Sequence, residues 1–320
     1  MFSVAKHKIE KGEKMKFKTF KKGFTLAELL TAIAIIAILI GILMPALNMA
    51  RKFANDTKQK AMLSSIETGI LMFKNDTGEY PRSKDVYTST NANTPSEYCG
   101  SQILAECMLG QDLLGFHPSS KYEFDAWDST GSKLYYDPND TNLRNRKSPY
   151  LNRENIGVFK PVDIFDDVFT NLEPKNYLIC DVYTAVNKTI TLPDDSKSTK
   201  KFKMGTPILY FRADTSGLDI SDATSLDKRI YNFLDNWLLV RLGKITNTST
   251  KDERHLNFLS TQNKPDGFYK YITDDTATTT TGSNQRKRPV RPDSFLLISA
   301  GADGLYGTTD DICNFTPNIQ

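Results

Sequence analysis

The first strong pattern along the chain is apolar and unbroken. Phe24–Leu47 reads FTLAELLTAIAIIAILIGILMPAL, 24 residues with a single ionisable side chain, Glu28. At ~1.5 Å per residue this predicts a helix of about 36 Å, enough to cross a bilayer core of about 30 Å. A cleaved signal peptide is a poor fit. Its apolar region runs to ~7–15 uncharged residues and ends in a small-x-small site, whereas Ala46-Leu47-Asn48 and Asn48-Met49-Ala50 both fail that pattern. A plain signal anchor explains the length but not the carboxylate.

Beyond the apolar run the pattern becomes amphipathic. Residues 48–74 contain no proline, and Leu63, Ile66, Ile70 and Phe73 recur at helical spacing, as expected of a helix packed on a domain. Lys52, Asp56, Lys60 and Glu67 fall on what reads as the solvent face. Asn75-Asp76-Thr77-Gly78 and then Pro81 end the helix. A continuous helix from Phe24 to Lys74 would be about 76 Å long.

From residue 81 onward the signals are mixed. Ser101–Gln111 predicts a short helix with Ile103, Leu104, Cys107 and Met108 on one side. Tyr177–Tyr183, Pro207–Arg212 and Ser294–Ser299 predict strands, and Asp227–Leu242 fits either a helix or a strand. The polar tracts Pro193–Lys201, Thr246–Glu253 and Thr273–Gln285 predict exposed loops. The fold class is α+β, with four segments: 1–23 ahead of the apolar run, 24–47 in the membrane, 48–80 as spine helix and turn, and 81–320 as an exported head.

Charge sharpens this division. The chain carries +3 overall, yet residues 1–23 hold eight lysines against Glu10 and Glu13, a net of +6 that leaves −3 on the remaining 297 residues. The lysines place the first end in the cytoplasm and send the chain beyond the helix across the membrane. With its basic character confined to the first end, the chain has no expected nucleic-acid partner. Arg286-Lys287-Arg288 and Arg291 form a short run beside Pro289 and Pro292 that reads as surface charge.

The junction itself, Lys21-Lys22-Gly23-Phe24-Thr25-Leu26-Ala27-Glu28-Leu29-Leu30, resembles the type IV prepilin leader. The resemblance implies cleavage after Gly23 by a membrane prepilin peptidase and methylation of the new N-terminal Phe24. It also implies a helix-bending role for Pro45, and pairing of Glu28 with the Phe24 ammonium of a neighbouring subunit. A lone carboxylate in a membrane helix costs about 2–4 kcal/mol unless it finds a partner, and the freed amine, with a reference pKa near ~8, supplies one. The turn Asp76-x-Gly78-x-Tyr80-Pro81 is similar to the one that ends the spine helix in type II secretion pseudopilins.

A second motif closes the chain: Ser299-Ala-Gly-Ala-Asp303-Gly-Leu-Tyr-Gly-Thr-Thr-Asp310-Asp311-Ile312. Glycines let the backbone turn sharply, and oxygen ligands at this density suit Ca²⁺. A hairpin with solvated aspartates fits the same residues. The segment resembles the C-terminal loop of major pseudopilins, which implies Ca²⁺ held by Asp303, Asp310 and Asp311, with carbonyls near Leu305 and Thr308 completing the shell. The resemblance covers residues 16–82 and 293–312, and the large middle region departs from it.

Other chemistry finds little support. Cys99, Cys107, Cys180 and Cys313 lie in the exported part, where disulfides form, but four cysteines allow three pairings and no C-x-x-C occurs. His7, His117 and His255 belong to no H-E-x-x-H, and G-x-S-x-G is absent. Asp166-Asp167 and Asp194-Asp195 read as solvated pairs. The expectation is therefore a non-enzymatic, type IV pilin-like chain whose membrane helix continues into a spine packed on an antiparallel sheet. The resemblance implies a subunit of a type II secretion pseudopilus, self-associating and meeting other pseudopilins, prepilin peptidase, an inner-membrane secretion platform and exported cargo. A surface pilin for adhesion, motility or DNA uptake shares the N-terminal features, and a membrane-anchored exported enzyme or binding protein is the alternative of another class.

Overall fold

The computed structural model describes residues 23–84, 97–123, 133–135, 140–165, 172–183, 186–191, 199–217, 220, 229–245, 258, 265–281 and 284–319. Two compact units divide the chain, Met1–Arg51 and Lys52–Gln320.

In the first unit, helix α1 (Leu26–Thr77) begins and runs without a break through Pro45. Every residue from Gly23 to Arg51 is exposed, with Phe24 at 83% and Ile38 at 64%. A helix with this much bare Leu and Ile has no folded surface of its own to cover it, so the covering must come from lipid or from other helices.

In the second unit the same helix acquires a buried face. Gln59, Met62, Leu63, Ile66, Gly69, Ile70 and Phe73 are buried, which places the four residues picked out by periodicity on one stripe. Gly78 ends the helix at φ +88°, a left-handed conformation that glycine adopts at little cost. Of the face assigned to solvent, Lys52 and Lys60 are exposed, but Asp56 and Glu67 need correction. Asp56 accepts a hydrogen bond from the Tyr183 hydroxyl, and Glu67 accepts from Arg291 Nη1 and Asn314 Nδ2, both at 3.0 Å. These acids flank the apolar stripe and fasten it to the head, while Thr57, Ala61, Ser64 and Thr68 point outward.

Three layers make up the core. The middle one is an antiparallel sheet of β5 (Leu209–Arg212), β8 (Phe295–Ser299) and β9 (Ile312–Cys313), in the order β5-β8-β9. Alternation decides which residue meets which neighbour. Tyr210, Phe295 and Leu297 join α1 and α2 (Gly100–Leu109) in one cluster. Leu209, Phe211, Leu296 and Ile298 join Phe233, Phe258, Phe268 and Tyr306 in the other. Burial on both faces is why residues 295–298 are apolar at every position.

The helix predicted at 101–111 forms as α2, but it is buried all round rather than on one side. Its polar residues therefore need protein partners. The Ser101 N–H and hydroxyl donate to Asn236 Oδ1 at 3.0 and 2.8 Å, and Gln102 Nε2 donates to the Glu173 carbonyl at 2.7 Å. Glu106 accepts from the Tyr98 and Tyr135 hydroxyls, from Ser120 and from Gln111 Nε2.

Around these layers lie the short helices α3 (Asp140–Asn145) and α4 (Pro161–Ile164), and a two-stranded sheet of β1 (Gly157–Phe159) and β2 (Leu178–Cys180). The ambiguous segment near residue 235 becomes a 3-10 turn, Phe233–Asn236, that runs into α5 (Trp237–Leu242). Helix α6 (Asp266–Tyr271) comes next.

Two tracts expected to be loops are paired where they are described. Residues Thr199–Lys201 belong to β4 (Thr199–Met204), which pairs with β3 (Val186–Thr191). The threonine-rich tract forms β6 (Thr273–Thr281) against β7 (Asn284–Pro289), with a register shift between Asp274 and Thr278. Threonine is β-branched and favours extended backbone, which outweighed its polarity here. The tract Thr246–Glu253, both aspartate pairs, His7 and His255 lie outside the described residues.

All four cysteines are free thiols, with Cys107 buried as its place on α2 predicted. Arg291, read as surface charge, instead joins Glu67 and lies over the Phe295 ring at 5.1 Å.

Candidate functional site

Two places hold the residues singled out in the sequence, one in each unit. At the start of α1, Phe24 is exposed and Gly23 leaves open space around its backbone. Glu28 Oε2 accepts from the Thr25 N–H at 2.9 Å and from the Thr25 hydroxyl at 2.8 Å, while the Glu28 N–H donates to Thr25 Oγ1 at 3.2 Å. This is a reciprocal capping box, in which two otherwise unbonded helix-end N–H groups are satisfied by side chains. Thr25 was missed as a functional residue, although its Thr-x-x-Glu spacing is the signature of such a cap. The cap gives Glu28 a local partner on one oxygen and fixes its side chain at the helix start, one turn from Phe24.

The C-terminal motif forms the connection between the adjacent strands β8 and β9, as a chain that must reverse within a dozen residues requires. Gly301 sits at φ +64°, and a Cβ there would lie 2.3 Å from the Asp310 carbonyl, so only glycine lets the two ends of the loop approach this closely. Asp310 Oδ2 accepts from the N–H groups of Ala302 (2.8 Å) and Asp303 (3.0 Å). Asp303 Oδ1 accepts from the Leu305 N–H at 2.8 Å, and Asp311 Oδ2 accepts from the Gly307 N–H (2.7 Å) and the Tyr271 hydroxyl (2.6 Å). Thr308 Oγ1 stands among oxygens, 2.6 Å from Asp310 Oδ1, 3.2 Å from the Leu305 carbonyl and 3.4 Å from Asp311 Oδ1.

Electrostatics reflect this crowding. Partial burial and the neighbouring Asp310 push Asp303 above the usual carboxylate range. Burial pushes Asp311 up to about 7, and the charges of Asp303 and Asp310 add to that. Burial acts on Asp310 too, but the Thr308 hydroxyl and the two N–H donors hold it below its ordinary value.

The oxygen set suits a hard cation in kind. In arrangement, each carboxylate is first a brace for the loop backbone. Among the described residues no group of three or more His, Cys, Asp or Glu side chains is placed to hold a metal ion. The loop thus brings Asp303, Asp310 and Asp311 together around Thr308 without presenting a finished cage.

An exposed apolar helix long enough to cross a bilayer, starting at the Gly23-Phe24 junction, fits a membrane-anchored chain. Comparison with known proteins agrees. Residues 18–44 match the family described as the prokaryotic N-terminal methylation motif. The type IV wide pilus major component PilA4 of Thermus thermophilus is 39% identical over 93 residues, covering 28% of this chain and 71% of that protein. No solved structure matches the chain. The chain belongs to the type IV pilin-like family. Proteins of this family are structural rather than enzymatic, form filaments of their own subunits and are processed by prepilin peptidase.

Proposed function

We propose that the chain is a structural subunit of a type II secretion-like pseudopilus. Cleavage after Gly23 frees the Phe24 amine, methylation leaves that amine protonatable, and Glu28 of one subunit pairs with it on the next to set the axial register. The head faces the periplasm and the helix sits in the inner membrane until the subunit joins a fibre that moves exported proteins outward. Other pseudopilins and the inner-membrane secretion platform are the partners this role requires.

The observation that carries the secretion assignment is the braced β8–β9 loop, in which Asp310 and Asp311 gather at the Thr308 hydroxyl and the Asp303 N–H donates to Asp310. We propose that Ca²⁺ binds there, with these three carboxylates as ligands and the Leu305 carbonyl beside them. Bound ion would neutralise the crowded acids and stabilise the head by mass action. The expected result is a higher melting temperature in calcium than in chelator, lost in Asp310→Asn; equal melting in both leaves the loop a hydrogen-bonded hairpin only.

A surface type IV pilus is the second reading, favoured by the similarity to PilA4. Deleting the gene separates the two. Blocked enzyme export with surface pili intact supports the pseudopilus, and lost pili with normal export overturns it.

A further inference from the structure

The large middle region, which departs from the pseudopilin resemblance, reaches the C-terminal loop through α6. Tyr271 closes that helix and is buried, its ring edge-on to Phe258 at 5.0 Å and to Phe315 at 6.0 Å. Its hydroxyl donates to Asp311 Oδ2 at 2.6 Å and lies 3.1 Å from Cys313 Sγ. The main chain here is tied in two directions. The Asn318 N–H donates to the Tyr271 carbonyl at 2.9 Å, and the Val290 N–H donates to the Ile272 carbonyl at 2.8 Å. Thr273 then opens β6, whose Asp275 accepts from Asn318 Nδ2 at 2.7 Å. A loop carboxylate, α6 and the β6–β7 pair thus meet at Tyr271.

The bond to Asp311 differs in kind from the other braces of the loop. Asp303 and Asp310 accept from groups of the loop itself, the N–H groups of Ala302, Asp303 and Leu305 and the Thr308 hydroxyl. Asp311 Oδ2 accepts from the Gly307 N–H and also from Tyr271, 40 positions away. With Oδ2 held there, Oδ1 stands 3.4 Å from Thr308 Oγ1. A group that bonds a ligating carboxylate from behind fixes its orientation and strengthens its hold on the ion.

A cleft of about 340 Å³ lies between the same two elements. Gly267, Lys270 and Tyr271 form its α6 side, and Gly307, Thr308 and Thr309 form its loop side. Helix α6 is therefore one wall of the approach to the oxygens that gather at Thr308.

We propose that Tyr271 is the positioning residue of the calcium site, and that occupancy of the loop tightens α6 and the β6–β7 pair onto the head. Both statements rest on the calcium reading above. An ion on the loop favours the Asp311 orientation that the Tyr271 hydroxyl also favours, so each strengthens the other by the same factor. The bond from a hydroxyl to a carboxylate is charge-assisted and strong enough to carry that coupling. The middle region then acts as a part of the head that calcium secures.

The test uses the full chain in detergent micelles with calcium chloride as the added ligand. Titration calorimetry reads affinity, and hydrogen exchange with mass spectrometry reads local opening. In the parent chain calcium is expected to slow amide exchange about fivefold or more in α6 and β6 as well as in the loop. Tyr271→Phe keeps the ring between Phe258 and Phe315 but removes the hydroxyl. It should bind calcium about tenfold more weakly, and calcium should no longer slow exchange in its α6. If Tyr271→Phe fails to fold, judged by its far-ultraviolet spectrum, the exchange pattern of the parent decides. Calcium that slows exchange in the loop but not in α6 would overturn the proposal and leave the calcium reading standing. Equal affinity in a folded Tyr271→Phe and in the parent would do the same. No heat and no change in exchange anywhere would instead overturn the calcium reading, and this inference with it.

Discussion

Replacing Phe73 by alanine should remove a large part of the stability of the head. Phe73 is fully buried where the spine helix meets α2, and its ring meets Phe116 at 5.1 Å and Tyr150 at 5.7 Å, both edge-on. Burying about 150–200 Å² at ~25 cal/mol per Å² contributes about 4–5 kcal/mol. A compact unfolded chain reduces that to about 3, and the two ring pairs restore roughly 1–2. The total of about 4 kcal/mol agrees with the range of about 3–5 measured for Phe-to-Ala changes in cores. Against the ~5–15 kcal/mol typical of a whole domain, the loss is severe. Leu71 lies two residues away on the same helix but is 53% exposed, so Leu71→Ala should change stability by no more than about 0.5 kcal/mol. Urea unfolding of both variants in the same detergent, tracked by circular dichroism, makes the comparison. Similar midpoints for the two would refute the assignment of the buried stripe.

Two further predictions concern charge. Asp235 is buried with the Ser83 hydroxyl donating to it, and burial lifts it from 3.8 to about 7. Between those values the folded chain keeps a proton that the unfolded chain has lost, so stability falls as pH rises through that window, by up to about 4 kcal/mol at ~1.4 kcal/mol per pH unit. Asp235→Asn should flatten the slope of stability between pH 4 and 7 relative to the parent chain, and an unchanged slope would show that Asp235 ionises freely in the fold. At the helix start, Glu28→Gln can still cap Thr25 but carries no charge. It should be cleaved normally, keep its helix and assemble poorly, whereas normal filaments from Glu28→Gln would remove the charge-pairing account of register.

Much of this architecture could be read from the chain because strong periodicity leaves few alternatives. Leu63, Ile66, Ile70 and Phe73 repeat as only one face of a helix can, and they are the buried face. What periodicity could not show was where a polar residue finds its partner. Asp56 and Glu67 look like solvent-facing charges until Tyr183, Arg291 and Asn314 arrive from more than a hundred residues away. Glu106 looks like the polar side of an amphipathic helix until four donors, from the flanking Tyr98 and Gln111 and from Ser120 and Tyr135, enclose it. The threonines after Ile272 show the converse, a local preference for extended backbone masked by polar composition. At the candidate sites, the residues were visible as motifs. Their bracing was not, because Thr25 and Thr308 act through hydroxyl geometry rather than through charge or hydropathy.

The central claim is that this chain is a prepilin-type filament subunit whose working N-terminus is created by cleavage. Mass spectrometry of the mature protein tests it most directly. The account predicts a chain beginning at Phe24 with a methylated α-amine, and an intact Met1 or a cut near Ala50 would contradict it.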